Sequence, residues 1–253
     1  MYQADTIYHI YNHSNNYELI FKTPAHYLYF IRKMRDHLLP IGDILCYCLM
    51  PDHFHILFRV NEKGVLDSRL RTFPSLKSAN GEPGYMQELS NQLRIMLSSY
   101  TKTFNRQTGH RGGLFRSNTK AKPAYLDFTD RAPHLFIDAD GTLLPYAPYL
   151  RNCFYYIHQN PVKSDLCPTA ADWPYSSAAD YEGKREGTLC NYELVERLLG
   201  VRRVSRPTSF PNSWDEPTDP AARAQNSWDE PPISWDEPTD PATRASNSWD
   251  DYY

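Results

Sequence analysis

Nowhere in this chain of 253 residues does an apolar run reach the ~18 residues that a membrane-spanning helix needs. The N-terminus shows no signal-peptide pattern. Cysteine is sparse: five residues, at 46, 48, 153, 167 and 190, an odd number spread over a long chain. Cys46 and Cys48 are not at the usual zinc spacing, and no second pair follows them. They alternate with apolar neighbours and read as small core residues. A reducing cytoplasm is the expected setting, with no membrane partner. Excess positive charge is missing as well. The net charge is −3, which for the chain as a whole argues against binding nucleic acid.

That charge is unevenly distributed. Residues 207–253 hold ten acids and two arginines, net −8, so the other 206 residues carry 25 basic and 20 acidic groups, net +5. A mildly basic folded part suits contact with phosphates. The division predicts a domain over 1–206 and a tail over 207–253. In the tail, Ser-Trp-Asp recurs at 213, 227, 234 and 248, three times followed by Glu-Pro. The repeat is too short for a solenoid, and its Pro, Asp, Ser and Thr content with few aliphatics predicts disorder. Repeat slippage without a selected role is the preferred account. The others are an acidic mimic of DNA competing for the basic site and a docking peptide for a protein partner.

The most telling stretch is Met50-Pro51-Asp52-His53-Phe54-His55-Ile56-Leu57-Phe58-Arg59-Val60. Past Pro51 it reads as a strand, which turns His53 and His55 to one face and Phe54 and Ile56 to the other. Paired imidazoles on one face suit a divalent metal, because neutral imidazole is a strong ligand and a strand holds it rigidly. The plainer alternative is one buried, hydrogen-bonded histidine and one at a rim.

A second segment, Tyr155-Tyr156-Ile157-His158-Gln159-Asn160-Pro161, continues a helix begun near Pro148, with Pro161 predicting its stop. At four-residue spacing Tyr156 shares a face with Asn160, and Tyr155 with Gln159. Each pair sets a phenol beside an amide oxygen able to act as a third ligand. The structural alternative is an aromatic face packed on a sheet with an amide near the helix end. Together, two histidines, an amide and a tyrosine suit attack on a phosphodiester: the metal polarises the phosphate and a phenol forms a covalent phosphotyrosine.

Coarse patterning predicts one α+β domain. Strands fall over 6–12, 44–49, 53–60 and 113–121, and helices over 24–39 and 85–106, with a polar loop at 61–84. The order β-α-β-β-α-β is ferredoxin-like. It predicts a helix layer on one sheet face and an open face for the histidines, with the tyrosine helix docked beside them. Residues 136–143 read as a small turn or hairpin. Lys102, Arg106, His110, Arg111, Arg116, Lys120 and Lys122 form a basic run with Phe104 and Phe115 interleaved and Tyr125 after it. Such a run can track phosphates while rings stack on bases; its alternative is a solvated helix end plus core aromatics.

Taken in order, Tyr8-His9-Ile10-Tyr11-Asn12, Tyr47 to His55, Gly113-Leu114-Phe115-Arg116, Tyr156 to Val162 and Asp172-Trp173-Pro174-Tyr175-Ser176-Ser177 resemble the HUH endonuclease superfamily. The likeness is to its single-tyrosine transposases of the REP-associated (RAYT-like) type, and covers about residues 2–200. It implies a ferredoxin-like sandwich with an added tyrosine helix. It also implies a nuclease and strand transferase for single-stranded or hairpin DNA, acting through a 5′-phosphotyrosine. In that family the tyrosine four before Asn-Pro is the nucleophile, which falls on Tyr156. Metal ligands then fall on His53, His55 and Asn160, with Mg²⁺ or Mn²⁺ expected as a hard Lewis acid. Tyr155 with Gln159 is the competing assignment. The expected DNA contacts are Lys102, Arg106, Arg111, Arg116, Lys120 and Lys122, in a monomer or homodimer. Other readings are a catalytically silent or domesticated DNA-binding protein of the same fold and a histidine-metal phosphoesterase using water.

Overall fold

A computed structural model describes residues 1–66, 73–77, 83–84, 86–124, 136–137, 143–144 and 147–205. The repeat tail and Tyr125 lie outside them. The strands are β1 (Ile7–His13), β2 (Gly42–Leu49), β3 (His53–Val60), β4 (Phe73–Lys77), β5 (Pro83–Gly84), β6 (Lys120–Pro123), β7 (Phe136–Ile137) and β8 (Leu143–Leu144). The helices are α1 (Pro24–Leu38), α2 (Glu62–Val65), α3 (Glu88–Thr108), α4 (Ala147–Lys163), α5 (Ala178–Tyr181) and α6 (Tyr192–Leu199).

The fold is α+β. Four strands form one antiparallel sheet in the order β2-β3-β1-β6. Its first face follows from alternation: Tyr8, Ile10, Phe54, Ile56 and Phe58 are buried there among the apolar stripes of α1 and α3. Helix α1 starts at the Thr23 cap with Pro24 in its first turn, and buries Tyr27, Phe30, Met34 and Leu38 at helical spacing. Helix α3 buries Leu89, Leu93, Met96, Leu97, Tyr100 and Phe104, and ends on Gly109 at φ +70°, a left-handed stop that glycine adopts without strain.

The opposite face is less open than the sequence predicts. Leu45, Cys46, Cys48 and Leu57 pack there with Leu150, Cys153, Phe154 and Ile157 of α4 and with Leu194, Val195 and Leu199 of α6. A register shift between Ile44 and Cys46 turns both Leu45 and Cys46 to this face, while Ile44 and Tyr47 stay on the first. Cys46 and Cys48 are core residues, and burial raises both thiol pKa values. The outer edge of β2 is covered too. Leu49 N–H donates to Tyr175 O (3.0 Å), Ser177 N–H to Tyr47 O (3.0 Å) and Asn191 N–H to Ile44 O (2.8 Å). Trp173 Nε1–H donates to Leu49 O (2.8 Å), so the Asp172–Ser177 motif seals an otherwise unpaired strand edge.

Two boundaries depart clearly from the sequence reading. The last sheet strand is Lys120–Pro123; residues 113–119 are irregular and tie to the end of β1 through Asn15 N–H to Leu114 O and Arg116 N–H to His13 O, each 2.9 Å. Helix α4 continues through Pro161 to Lys163, since Pro161 costs only its own N–H bond and Ser164 N–H still reaches Asn160 O at 3.1 Å. At 136–143 the antiparallel two-residue pairing of β7 with β8 fits the hairpin alternative of the sequence reading. Among the described residues, no helix is long and apolar enough to cross a membrane.

Candidate active site on the histidine face

Pairing of β1 with β3 sets His13 opposite His53, Tyr11 opposite His55 and His9 opposite Leu57. Paired residues share a face, so His9, Tyr11 and His13 join His53 and His55 on the side facing away from α1 and α3. Strand β6 extends this row, with Lys122 opposite His9 and Lys120 opposite Tyr11.

Each predicted ligand histidine is held through one ring nitrogen. His53 Nδ1 lies 2.7 Å from Asp52 Oδ1 in the β2–β3 turn, and its ring stacks on His13 at 4.7 Å. Burial pushes the Asp52 carboxyl up, but the His53 hydrogen bond and the neighbouring histidines outweigh it and leave it below its ordinary value. His55 Nδ1 lies 2.9 Å from His9 Nε2, and both rings are buried. Burial, then the histidines around it, holds the His55 pKa well below the usual imidazole range. Burial and then Lys122 bring His9 down to about 3. Both are therefore neutral at pH 7. Neither His53 Nε2 nor His55 Nε2 has a hydrogen-bond partner among the described residues.

Helix α4 brings Tyr156 to this group. Its ring lies edge-on to His55 at 5.6 Å and to His9 at 6.1 Å, with Lys163 Nζ 5.0 Å from the ring centre. Asn160, one turn on, is buried, and its Nδ2 donates to Tyr156 O at 3.0 Å, leaving Oδ1 without a partner among the described residues. Tyr155 is 49% exposed and Gln159 is exposed, so the competing pair lies on the solvent side of the helix. His158 is buried against Ser177 Oγ (2.7 Å), and burial lowers its pKa to about 3.

The donor chemistry fits a divalent cation. Ligating imidazoles are characteristically held through their second nitrogen by a hydrogen-bond partner, and here Asp52 and His9 stand in that relation. Among the described residues no cluster of three His, Cys, Asp or Glu is placed to hold a metal; the set here has an amide as its third donor.

The basic run is divided between layers. Lys120 and Lys122 share the histidine face. Lys102 and Arg106 are exposed on α3, which packs against the other face. Arg111 and Arg116 are exposed in the connection, and the Arg116 guanidinium lies 5.9 Å from the Tyr17 ring. Phe104 and Phe115 are core residues at 1% and 9% exposure, which is the core-aromatic alternative of the sequence reading and not the base-stacking one. Sequence reasoning missed His9, Tyr11 and His13. Their signal was the alternation His9-x-Tyr11-x-His13 in a strand treated only as an opening element.

No protein-family model matches the chain, and no curated protein matches it. A solved structure described as a REP-associated tyrosine transposase bound to a REP hairpin aligns at 15% identity with a TM-score of 0.43, covering 72% of this chain and 81% of that one.

Proposed function

We propose that residues 1–206 form a metal-dependent single-stranded DNA nuclease and strand transferase of the HUH single-tyrosine type, with Tyr156 as nucleophile. The acidic tail 207–253 is an appendage in this reading. One observation carries it: Tyr156, not Tyr155, lies on the sheet side of α4, 5.6 Å from the His55 ring. The order of the resembling motifs supports it, and the β2-β3-β1-β6 order of the antiparallel sheet is compatible with the ferredoxin-like reading.

His53, His55 and the Asn160 amide oxygen would hold Mg²⁺ or Mn²⁺, which when bound supplies a Lewis acid at the scissile phosphate. The protein's own part is nucleophile and geometry. Tyr156 Oη forms a bond to phosphorus and releases its proton to solvent. The bond from phosphorus to the 3′ oxygen breaks, and that oxygen takes up a proton and leaves as a free hydroxyl. A phenol with a pKa of about 10 needs help to ionise, and Lys163 Nζ lies 5.0 Å from the ring centre. Lys120 and Lys122, on the same face, suit the phosphates of the bound strand. The covalent link conserves the energy of the broken bond, so strands can be rejoined without ATP.

The test incubates end-labelled single-stranded hairpins with protein and Mn²⁺ and resolves adducts on denaturing gels. Wild type and Tyr155→Phe form the adduct; Tyr156→Phe forms none yet binds DNA. Adducts that persist in Tyr156→Phe and vanish in Tyr155→Phe move the nucleophile by one residue. Cleavage without an adduct in both supports attack by water. Binding without cleavage by wild type supports a silent DNA-binding protein.

A further inference from the structure

We propose that His9 is a positioning residue that fixes the tautomer of His55, so that His55 presents an unprotonated Nε2 to the metal. This rests on the metal site proposed above. His9 Nε2 and His55 Nδ1 are 2.9 Å apart, so one proton lies between them and its owner decides what His55 offers. If His9 donates, neutral His55 carries its proton on Nε2 and turns an N–H towards the site. If His55 donates, its Nε2 keeps a lone pair.

The geometry allows the second arrangement, and a metal ion at His55 Nε2 requires it. Adjacent His53 is held in the equivalent way: its Nδ1 faces a carboxylate, which only accepts, so the neutral ring carries its proton on Nδ1 and turns the Nε2 lone pair away from Asp52. His9 reaches His55 from the next strand, at a diagonal across the β1–β3 pairing in which Tyr11 is the residue directly opposite. The His9 ring is confined: its centre lies 5.0 Å from those of Tyr11 and His55 and 6.1 Å from that of Tyr156. At 5% exposure it has little room to turn away and offer a different atom. His9 thus stands to His55 as Asp52 stands to His53, an acceptor behind each ligand.

The experiment uses the full chain and Mn²⁺ alone as probe. Mn²⁺ affinity is measured by titration and electron paramagnetic resonance for wild type, His9→Phe, which keeps a ring but has no acceptor, and His9→Gln, whose carbonyl can accept from His55. The expected result is an affinity loss of ~10–100-fold in His9→Phe, with most of it restored in His9→Gln. Nitrogen NMR of the metal-free wild type should show the His55 proton on Nδ1, a signature that a merely structural His9 does not require. A His55 proton on Nε2, or wild-type affinity in a folded His9→Phe, overturns the proposal while leaving the metal site standing. Absence of Mn²⁺ uptake by wild type, matched by His55→Ala, overturns the metal site and this proposal with it.

Discussion

Replacing Asp180 with alanine should strongly destabilise the fold and loosen α4, because it strands a buried cation. Asp180 is 1% exposed, and its carboxylate accepts from Arg185 Nε at 2.6 Å, from Arg185 Nη2 at 2.8 Å and from Gly187 N–H at 3.0 Å. The Arg185 side chain is 15% exposed and also donates to Pro174 O and Ser176 O, so it cannot follow the lost charge into water without leaving the segment that seals β2. Breaking one side of a buried pair costs about 3–5 kcal/mol. The two carbonyls still hold part of the guanidinium, which favours the lower end, about 3 kcal/mol. At roughly 2–4 °C per kcal/mol for a domain of this size, thermal unfolding should move down by about 6–12 °C. Combining Asp180→Ala with Arg185→Met should recover part of the loss, since no lone charge is then buried. Lys184 and Asp172 supply the control: their 2.7 Å ion pair is exposed, and Lys184→Ala should barely move the transition. A folded Asp180→Ala that melts within about 2 °C of wild type refutes the reasoning.

Lys120→Ala and Lys122→Ala should each flatten the salt dependence of single-strand binding, lowering the slope of log affinity against log salt by about 0.7 per lost phosphate contact, read by fluorescence anisotropy. Lys102→Ala, on the other layer, should leave the slope closer to wild type. Ser177→Ala removes a hydroxyl beside His158 Nε2 at 2.7 Å that also accepts from Tyr47 N–H at 2.9 Å. It should cost about 1–3 kcal/mol in chemical denaturation and lower adduct yield more than hairpin affinity.

The elements that the sequence declares are those whose pattern is local. Alternation fixed β3 to its residue bounds, and Pro24, suited to a first helical turn, fixed the start of α1. What stayed hidden depends on partners distant in the chain. The register that sets His13 opposite His53 and Tyr11 opposite His55, and so adds His9, Tyr11 and His13 to the site, is a matter of pairing across about 40 residues of intervening chain. The shift at Ile44–Cys46 breaks period-2 reading and sends Leu45 and Cys46 the same way. The basic run looks continuous because neighbouring residues are, yet α3 and β6 lie in different layers, so its charges part company. Pro161 misled for a physical reason: near a helix end few bonds remain for proline to break.

Which tyrosine meets the histidines was decided by burial, and could have been read from the chain. The apolar side of α4 is centred between Leu150, Cys153, Phe154 and Ile157, which sit over Cys46, Cys48 and Leu57 of β2 and β3. At roughly 100° per residue, Tyr156 and Asn160 fall about 70–110° to one side of that centre and His158 about 90° to the other, while Tyr155 and Gln159 fall nearly opposite it. A helix lying along β2 and β3 has two flanks, one towards the outer edge of β2 and one towards β1. His158 takes the first, where Ser177 receives it. Tyr156 is therefore left with the second, where β1 and β3 present His9 and His55. Turning the helix to bring Tyr155 inwards would lift Ile157 and Phe154 out of the core and pull His158 from Ser177. Leu150, Phe154 and Ile157, each contributing about 1.5–3 kcal/mol by burial, oppose that rotation.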